Sequence, residues 1–190
     1  SKTQNSLWIR YPSREREQNA RVSKNEVSMK KIKLTQGKVA LVDDEDFEKV
    51  SQYKWAACRQ YSGAFYAGTV RNKKLIGMHR LVLNFYGKNL CVDHINGDPL
   101  DNRKVNLRIC TQAENRRNSK INKRNISGYK GVSFIKMSGK YQSRICFNYK
   151  QYELGTFERA EDAAFAYNKK AKELFGEFAR LNIIPEANNE

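Results

Sequence analysis

The chain is 190 residues long, 39% hydrophobic and 29% charged, with a formal net charge of +16. That length allows one domain or two small ones, and the apolar content suffices for small cores rather than one large one. No run of 18 apolar residues is present, so no membrane span is expected, and the charge favours a polyanionic partner, most simply nucleic acid.

Residues 1–28 carry Arg10, Arg14, Arg16 and Arg21 among polar residues without a sustained period. They read as a mobile basic extension, with a short basic helix over residues 13–22 compatible with the pattern. From Lys31 the pattern sharpens: Ile32 and Leu34 alternate with lysines, Gln36-Gly37 is a turn, and Val39, Leu41 and Val42 begin a return strand. Residues 43–53 predict a short helix whose early acids suit the positive end of its dipole. Residues 55–59 and 64–70 predict two strands around the Tyr61-Ser62-Gly63 turn. Residues 78–86 predict a helix with Leu81, Val82 and Phe85 towards a core. His79 opens it; the ordinary reading is a packing histidine, the functional one a phosphate contact or a second base.

The densest chemistry follows. Residues 90–95 predict an apolar strand, Asn96-Gly97-Asp98-Pro99 is turn chemistry, and residues 106–110 predict a second strand. Thr111 and Glu114 form a capping box for a helix running to about residue 120. Asp93 and His94 end the first strand, and Asn115 lies about one turn into the helix. A divalent cation between Asp93 and Asn115 would have two oxygen ligands, which suits a hard ion such as magnesium that keeps several waters. His94 is then free to accept a proton from water, since an unperturbed histidine has a pKa of about 6.5. A lone Asp-His pair is usually a solvated turn. The pair with two later asparagines in register and a capped helix is far more specific.

This segment resembles the HNH nuclease motif, in the variant with aspartate for the first metal-binding histidine and asparagine for the last. The resemblance implies that Asp93 and Asn115 bind Mg2+ or Mn2+, that His94 activates the attacking water, and that Asn106 braces the loop carrying the histidine. Many members add a ligand four residues after the last one. Here Ser119 stands there beside Asn118, which leaves a third protein ligand open. The four cysteines form no CxxC pair, so no structural zinc is expected, and reduced buried thiols are the ordinary reading. With only His79 and His94, a histidine-rich metal site is excluded.

Arg116, Arg117, Lys120, Lys123 and Arg124 form a basic run without an acid, which suits phosphate tracking. Arg108 and Arg116 are candidate phosphate clamps. A linker composition follows. Residues 128–135, 140–147 and 151–154 then predict three strands, and residues 160–175 a strongly amphipathic helix with Ala160, Ala163, Ala164, Tyr167, Ala171 and Leu174 at helical spacing.

The strings YKGV at residues 129–132, GKY at 139–141, ELGTF at 153–157 and AEDAAFAY at 160–167, with Gly176 and Leu181-Asn182, resemble the AP2 DNA-binding domain. That family lays a three-stranded sheet in the major groove. Carried over, the outward residues are Lys130, Ser133, Ile135, Gln142, Arg144, Cys146, Gln151 and Glu153. Ser133, Ile135, Cys146, Gln151 and Glu153 depart from the arginines and tryptophan of plant members, so the plant target does not transfer. Arg159 stands where the family has a threonine N-cap.

Together these readings predict an α+β chain: a small αβ region with a ββα-metal HNH motif, plus an AP2-like three-stranded antiparallel sheet packed on one helix. The expected organisation is an extension over 1–28, a nuclease region over 29–120 with its core at 90–120, a basic linker over 121–126, a DNA-binding domain over 127–185 and a tail over 186–190. The expected function is a metal-dependent DNA endonuclease of homing or mobile-element type. It would act as a monomer on double-stranded DNA, probe no membrane, and work in the cytoplasm of a bacterial or phage-infected cell. The alternative is an AP2-type regulator carrying an inactive HNH remnant.

Overall fold

The computed structural model describes residues 28–60 and 63–185. The extension read over residues 1–28, including the helix over 13–22, falls outside them except for Ser28, as do residues 61–62 and the tail 186–190. No helix among the described residues is long and apolar enough to cross a membrane.

Strands β1 (Met29–Lys33) and β2 (Val39–Asp43) form an antiparallel hairpin. Helix α1 (Asp44–Ser51) follows, with Asp44, Glu45 and Asp46 in its first turn. Trp55 closes over its end, where the indole N–H donates to the Val50 carbonyl at 2.8 Å. Strands β3 (Ala56–Arg59), β4 (Phe65–Arg71) and β5 (Lys74–Gly77) make an antiparallel sheet in that order.

The third strand was not expected from the sequence. Its turn is Asn72-Lys73, both at positive φ (50° and 61°), the two-residue geometry that matches strand twist. The glycine that usually announces such a turn is missing. Helix α2 (Met78–Val82) is shorter than the expected 78–86. Asn84, at φ 49°, donates to the Leu81 carbonyl at 3.1 Å, and the Phe85 N–H donates to the Arg80 carbonyl at 2.9 Å. These two bonds satisfy carbonyls at the helix end and stop it there.

Strands β6 (Cys91–His94) and β7 (Leu107–Cys110) pair with Asp93 opposite Arg108. Val92 and Leu107 from this ribbon join Val42, Val50, Trp55 and Met78 in one apolar core. The ribbon is thus built onto the preceding αβ elements. The long connection between its strands is fixed to β2. The Leu41 N–H donates to Leu100 and the Asn102 N–H to Leu41, each at 2.8 Å, and the Lys104 N–H donates to the Asp43 carboxylate at 2.7 Å. Helix α3 (Gln112–Arg117) opens with the expected capping box and ends at Asn118, before the expected residue 120.

Strands β8 (Val132–Ile135), β9 (Lys140–Phe147) and β10 (Lys150–Phe157) form an antiparallel sheet with β9 central, packed against α4 (Ala160–Phe175). Ala163, Ala164 and Ala171 are fully buried, so helix and sheet approach closely. Gly131 (φ +77°) lies against the Tyr167 ring, where a Cβ would sit 2.0 Å from a ring carbon, so no side chain fits. Asn182 clamps the Lys130 backbone, accepting its N–H at 2.6 Å and donating to its carbonyl at 3.0 Å.

Although the sequence suggests a linker between two regions, the structure brings them into contact. Lys130 Nζ donates to the carbonyls of Arg117 and Ser119, at 2.5 and 2.7 Å, at the end of α3. The Arg117 guanidinium lies 5.0 and 5.2 Å from the ring centroids of Phe147 and Phe175.

Helix α4 begins at a weak point. Arg159 holds the N-cap position with extended φ and ψ of −112° and 144°, and its side chain makes no cap hydrogen bond. A threonine there would accept an otherwise unpaired amide and stabilise by about 1 kcal/mol. Arg159→Thr is therefore expected to raise the melting temperature by about 2–4 °C. A calorimetric scan showing an unchanged or lower value would remove this account of the cap.

Candidate active site

Asp93 and His94 are both buried at the end of β6. A buried carboxylate needs compensating partners, and Asp93 has two. Arg108, opposite it in the ribbon, donates to Oδ2 through Nε at 2.9 Å and Nη2 at 2.8 Å. Asn118 Nδ2 lies 3.0 Å from both carboxylate oxygens. The same amide reaches the carbonyls of His94 at 3.0 Å and Ile95 at 3.2 Å. Asn118 thus ties the end of β6 to the end of α3.

His94 is set by the loop behind it. Its Nε2 is 3.4 Å from Oδ1 of Asn102, a fully buried residue whose Nδ2 is committed to the Leu100 carbonyl. Asn102 Oδ1 can only accept, so Nε2 of a neutral His94 carries the proton and Nδ1 keeps its lone pair. Burial lowers the His94 pKa below the ordinary value, against an opposing pull from Asn102 and Asp93. His79 packs edge-on to His94, with ring centroids 5.3 Å apart. Burial, then the neighbouring His94, pushes the His79 pKa down to about 3. Both rings are neutral at pH 7, which suits proton acceptance.

The loop that carries the histidine is cross-braced. Asn106 accepts the Asn96 N–H at 2.9 Å and donates to the Asp101 carbonyl at 2.8 Å. Asp101 pairs with Arg103 through two bonds of 2.8 and 2.7 Å and accepts from Asn96 at 3.0 Å. Arg103 holds the Asp101 carboxyl below its ordinary pKa.

Asp93, His94, Asn115, Asn118, Ser119 and Lys120 line one cleft of about 400 Å³, with Arg116 at its wall. Asn115 makes no side-chain hydrogen bond among the described residues. Among the described residues, Oδ1 of Asp93 accepts from Asn118 alone and retains lone-pair capacity. Two hard oxygen donors beside open space fit a divalent ion that keeps waters. No cluster of three His, Cys, Asp or Glu that could hold a metal occurs among the described residues, so Asp93 and Asn115 would form an open site. Asn118 presents its amide nitrogen to the carboxylate, the attitude of a brace rather than a ligand.

The other expected contacts divide. Lys123 and Arg124 are exposed beyond the cleft, while Arg116, Arg117, Lys130 and Arg144 border a second cavity of about 560 Å³ between α3 and β9. Lys130, expected on the outward face of the sheet, is turned inward onto the end of α3. Burial and the nearby Arg180 push its pKa down to about 8. Arg108, expected as a phosphate clamp, is engaged with Asp93. Ser133, Gln151 and Glu153 are exposed on the sheet, with Ile135, Gln142 and Arg144 half-buried. Glu153 accepts from Gln142 at 2.8 Å and Gln151 at 2.7 Å. Sequence reasoning missed Asn102 because an Asp-Asn pair in a loop looks like any turn. It considered Asn118 only as a ligand.

Residues 77–117 match the family model described as HNH endonuclease. The chain is 33% identical over 154 residues to an uncharacterized HNH endonuclease of Acanthamoeba polyphaga mimivirus, a match covering 78% of this chain and 76% of that protein. It is 36% identical over 94 residues to Protein 3.8 of Escherichia phage T7, covering 50% of this chain and 77% of the relative. No solved structure matches it. The family match spans α2, the β6–β7 ribbon and α3, of which the ribbon and α3 line the cleft, and the viral relative extends the likeness across most of both chains: the protein belongs to the HNH endonuclease family and is a nuclease.

Proposed function

We propose that this nuclease hydrolyses DNA phosphodiester bonds with Mg2+ or Mn2+, nicks one strand of a duplex per encounter, and takes its sequence preference from an AP2-like module over residues 127–185. The observation that carries the reading is the convergence of Asp93, His94 and Asn115 on one cleft. His94 accepts the proton of the attacking water at its free ring nitrogen. Asn102 fixes the imidazole through the other nitrogen, and Asn106 keeps the loop from shifting. A bound divalent ion would take Asp93 and Asn115 as protein ligands and neutralise charge on the phosphate. Arg116, Lys120, Lys123 and Arg124 track the flanking backbone. Ser133, Ile135, Gln142, Arg144, Gln151 and Glu153 face the groove, with Glu153 repelling phosphate and so disfavouring unspecific contact. The mobile-element, homing type of action fits a nuclease joined to a reading surface. The alternative of a regulator with an inactive remnant has no observation in its favour, because acid, base and amide are all intact.

His94→Ala should abolish hydrolysis while leaving DNA affinity nearly unchanged. An unperturbed histidine would place the rise in turnover around pH 6.5. Burial lowers the His94 pKa, so the base is deprotonated at lower pH: the midpoint of the rise in turnover should lie below pH 6.5. A pH profile of single-turnover cleavage checks this, and parental turnover by His94→Ala would remove the residue from the mechanism.

Asp93→Ala should weaken metal activation more than Asn115→Ala, because a carboxylate carries charge and an amide does not. Normal cleavage by Asp93→Ala at low magnesium would place the metal elsewhere. One base and one ion serve one strand, so nicked circles should accumulate before linear plasmid. A gel time course in which linear DNA appears first would refute single-strand action.

A further inference from the structure

Three residues beyond the end of α4 reach back into the nuclease cleft. The Glu177 carbonyl accepts from Arg108 Nη1 at 2.7 Å. The guanidinium carbon of Arg108 also lies over the Phe178 ring, 4.1 Å from its centroid. Arg180 Nη1 lies 3.5 Å from the Asn118 carbonyl. It also covers Gly97, in the turn after His94, where a Cβ would stand 2.5 Å from that nitrogen. The two residues that hold the Asp93 carboxylate are therefore both contacted by this one loop, Arg108 at its guanidinium and Asn118 at its main-chain carbonyl.

We infer that the loop over residues 176–180 is a structural part of the nuclease centre: it holds Arg108 and Asn118, and through them fixes the Asp93 carboxylate for metal binding. Arg108 and Asn118 are positioning residues. The guanidinium has five N–H donors in a rigid plane. Two go to Asp93 Oδ2 and one to Glu177, so the plane cannot rotate without losing one partner. Oδ2 is occupied as an anchor, and Oδ1 is the oxygen left with capacity for an ion. The alternative role, a cation that competes with metal for Asp93, predicts the opposite sign on removal. This inference rests on the assignment of Asp93 as a metal ligand.

The test is Mn2+ binding by the full-length protein without DNA, followed by electron paramagnetic resonance, with thermal melting and metal-free DNA affinity measured alongside. Loss of outer partners of a ligand typically weakens metal binding by about 10–100-fold. Arg108→Ala and Phe178→Ala should each weaken Mn2+ binding by at least about 10-fold, with DNA affinity unchanged. Arg108→Lys, which keeps the charge but not the fork, should behave as Arg108→Ala does. Phe178→Tyr, which keeps the ring, should bind as the parent. If Phe178→Ala fails to fold, Phe178→Leu keeps most of the volume without the aromatic face and is read in the same way. Parental Mn2+ affinity in Arg108→Ala and in the folded Phe178 variant would reduce the loop to ordinary packing, and tighter binding would make Arg108 a competitor; either overturns the inference. Asp93→Ala separates the two levels. If it binds Mn2+ as the parent does, the metal assignment itself fails. If it loses Mn2+ while Arg108→Ala and Phe178→Ala retain it, only the role of the loop fails.

Discussion

Burying the charge of Asp93 is the constraint around which the rest of the centre is arranged. A carboxylate removed from water is tolerated only when its oxygens are paired and its neighbours are themselves held. Here the pairing comes from the facing strand, through Arg108, and from the end of the following helix, through Asn118. Neither partner is free to drift. Arg108 is pinned from beyond α4, and Asn118 reaches two backbone carbonyls as well as the carboxylate. The ribbon, the short helix and the terminal loop are thus fastened at one buried charge.

The imidazole depends on a different set of supports. The loop between β6 and β7 has little apolar content of its own and would be mobile if left in water. Its order comes from the edge of β2, which pairs with it on both sides of Leu41, and from asparagine and aspartate side chains that replace missing ladder bonds. Such local side-chain bonding is what these residue types do well outside regular structure. His94 is therefore supported from the N-terminal elements and Asp93 from the C-terminal ones. The cleft lies where the two supports meet.

Much of the local structure is legible in the sequence. The capping box at Thr111 and Glu114, the ribbon around the Asn-Gly-Asp-Pro turn and the boundaries of α4 are all written in short-range patterns, because caps, turns and amphipathic periods need no knowledge of distant partners. Strand β5 was not, because its turn has the required backbone without the usual glycine. The early stop of α2 depends on one asparagine adopting a left-handed conformation, which the sequence permits but does not demand. The least legible features were the directions of long side chains. A strand arginine and a lysine before a strand look alike whether they face solvent, a carboxylate or a helix end. Arg108 reads in the sequence as a phosphate clamp and Lys130 as an outward cation of the sheet, and tertiary packing turns both inward.

The ammonium of Lys130, seated on the last carbonyls of α3, has a consequence for geometry at the scale of the substrate. A nuclease centre and a reading surface joined by a loose tether would sample many separations along a duplex. Here α3 and the β8–β10 sheet are fastened helix end to sheet edge, with the Arg117 guanidinium against Phe147 and Phe175 as a second point of attachment. On the proposed mode of action, the molecule works as a caliper. The number of base pairs between the read sequence and the scissile bond is then a property of the fold, set before DNA arrives.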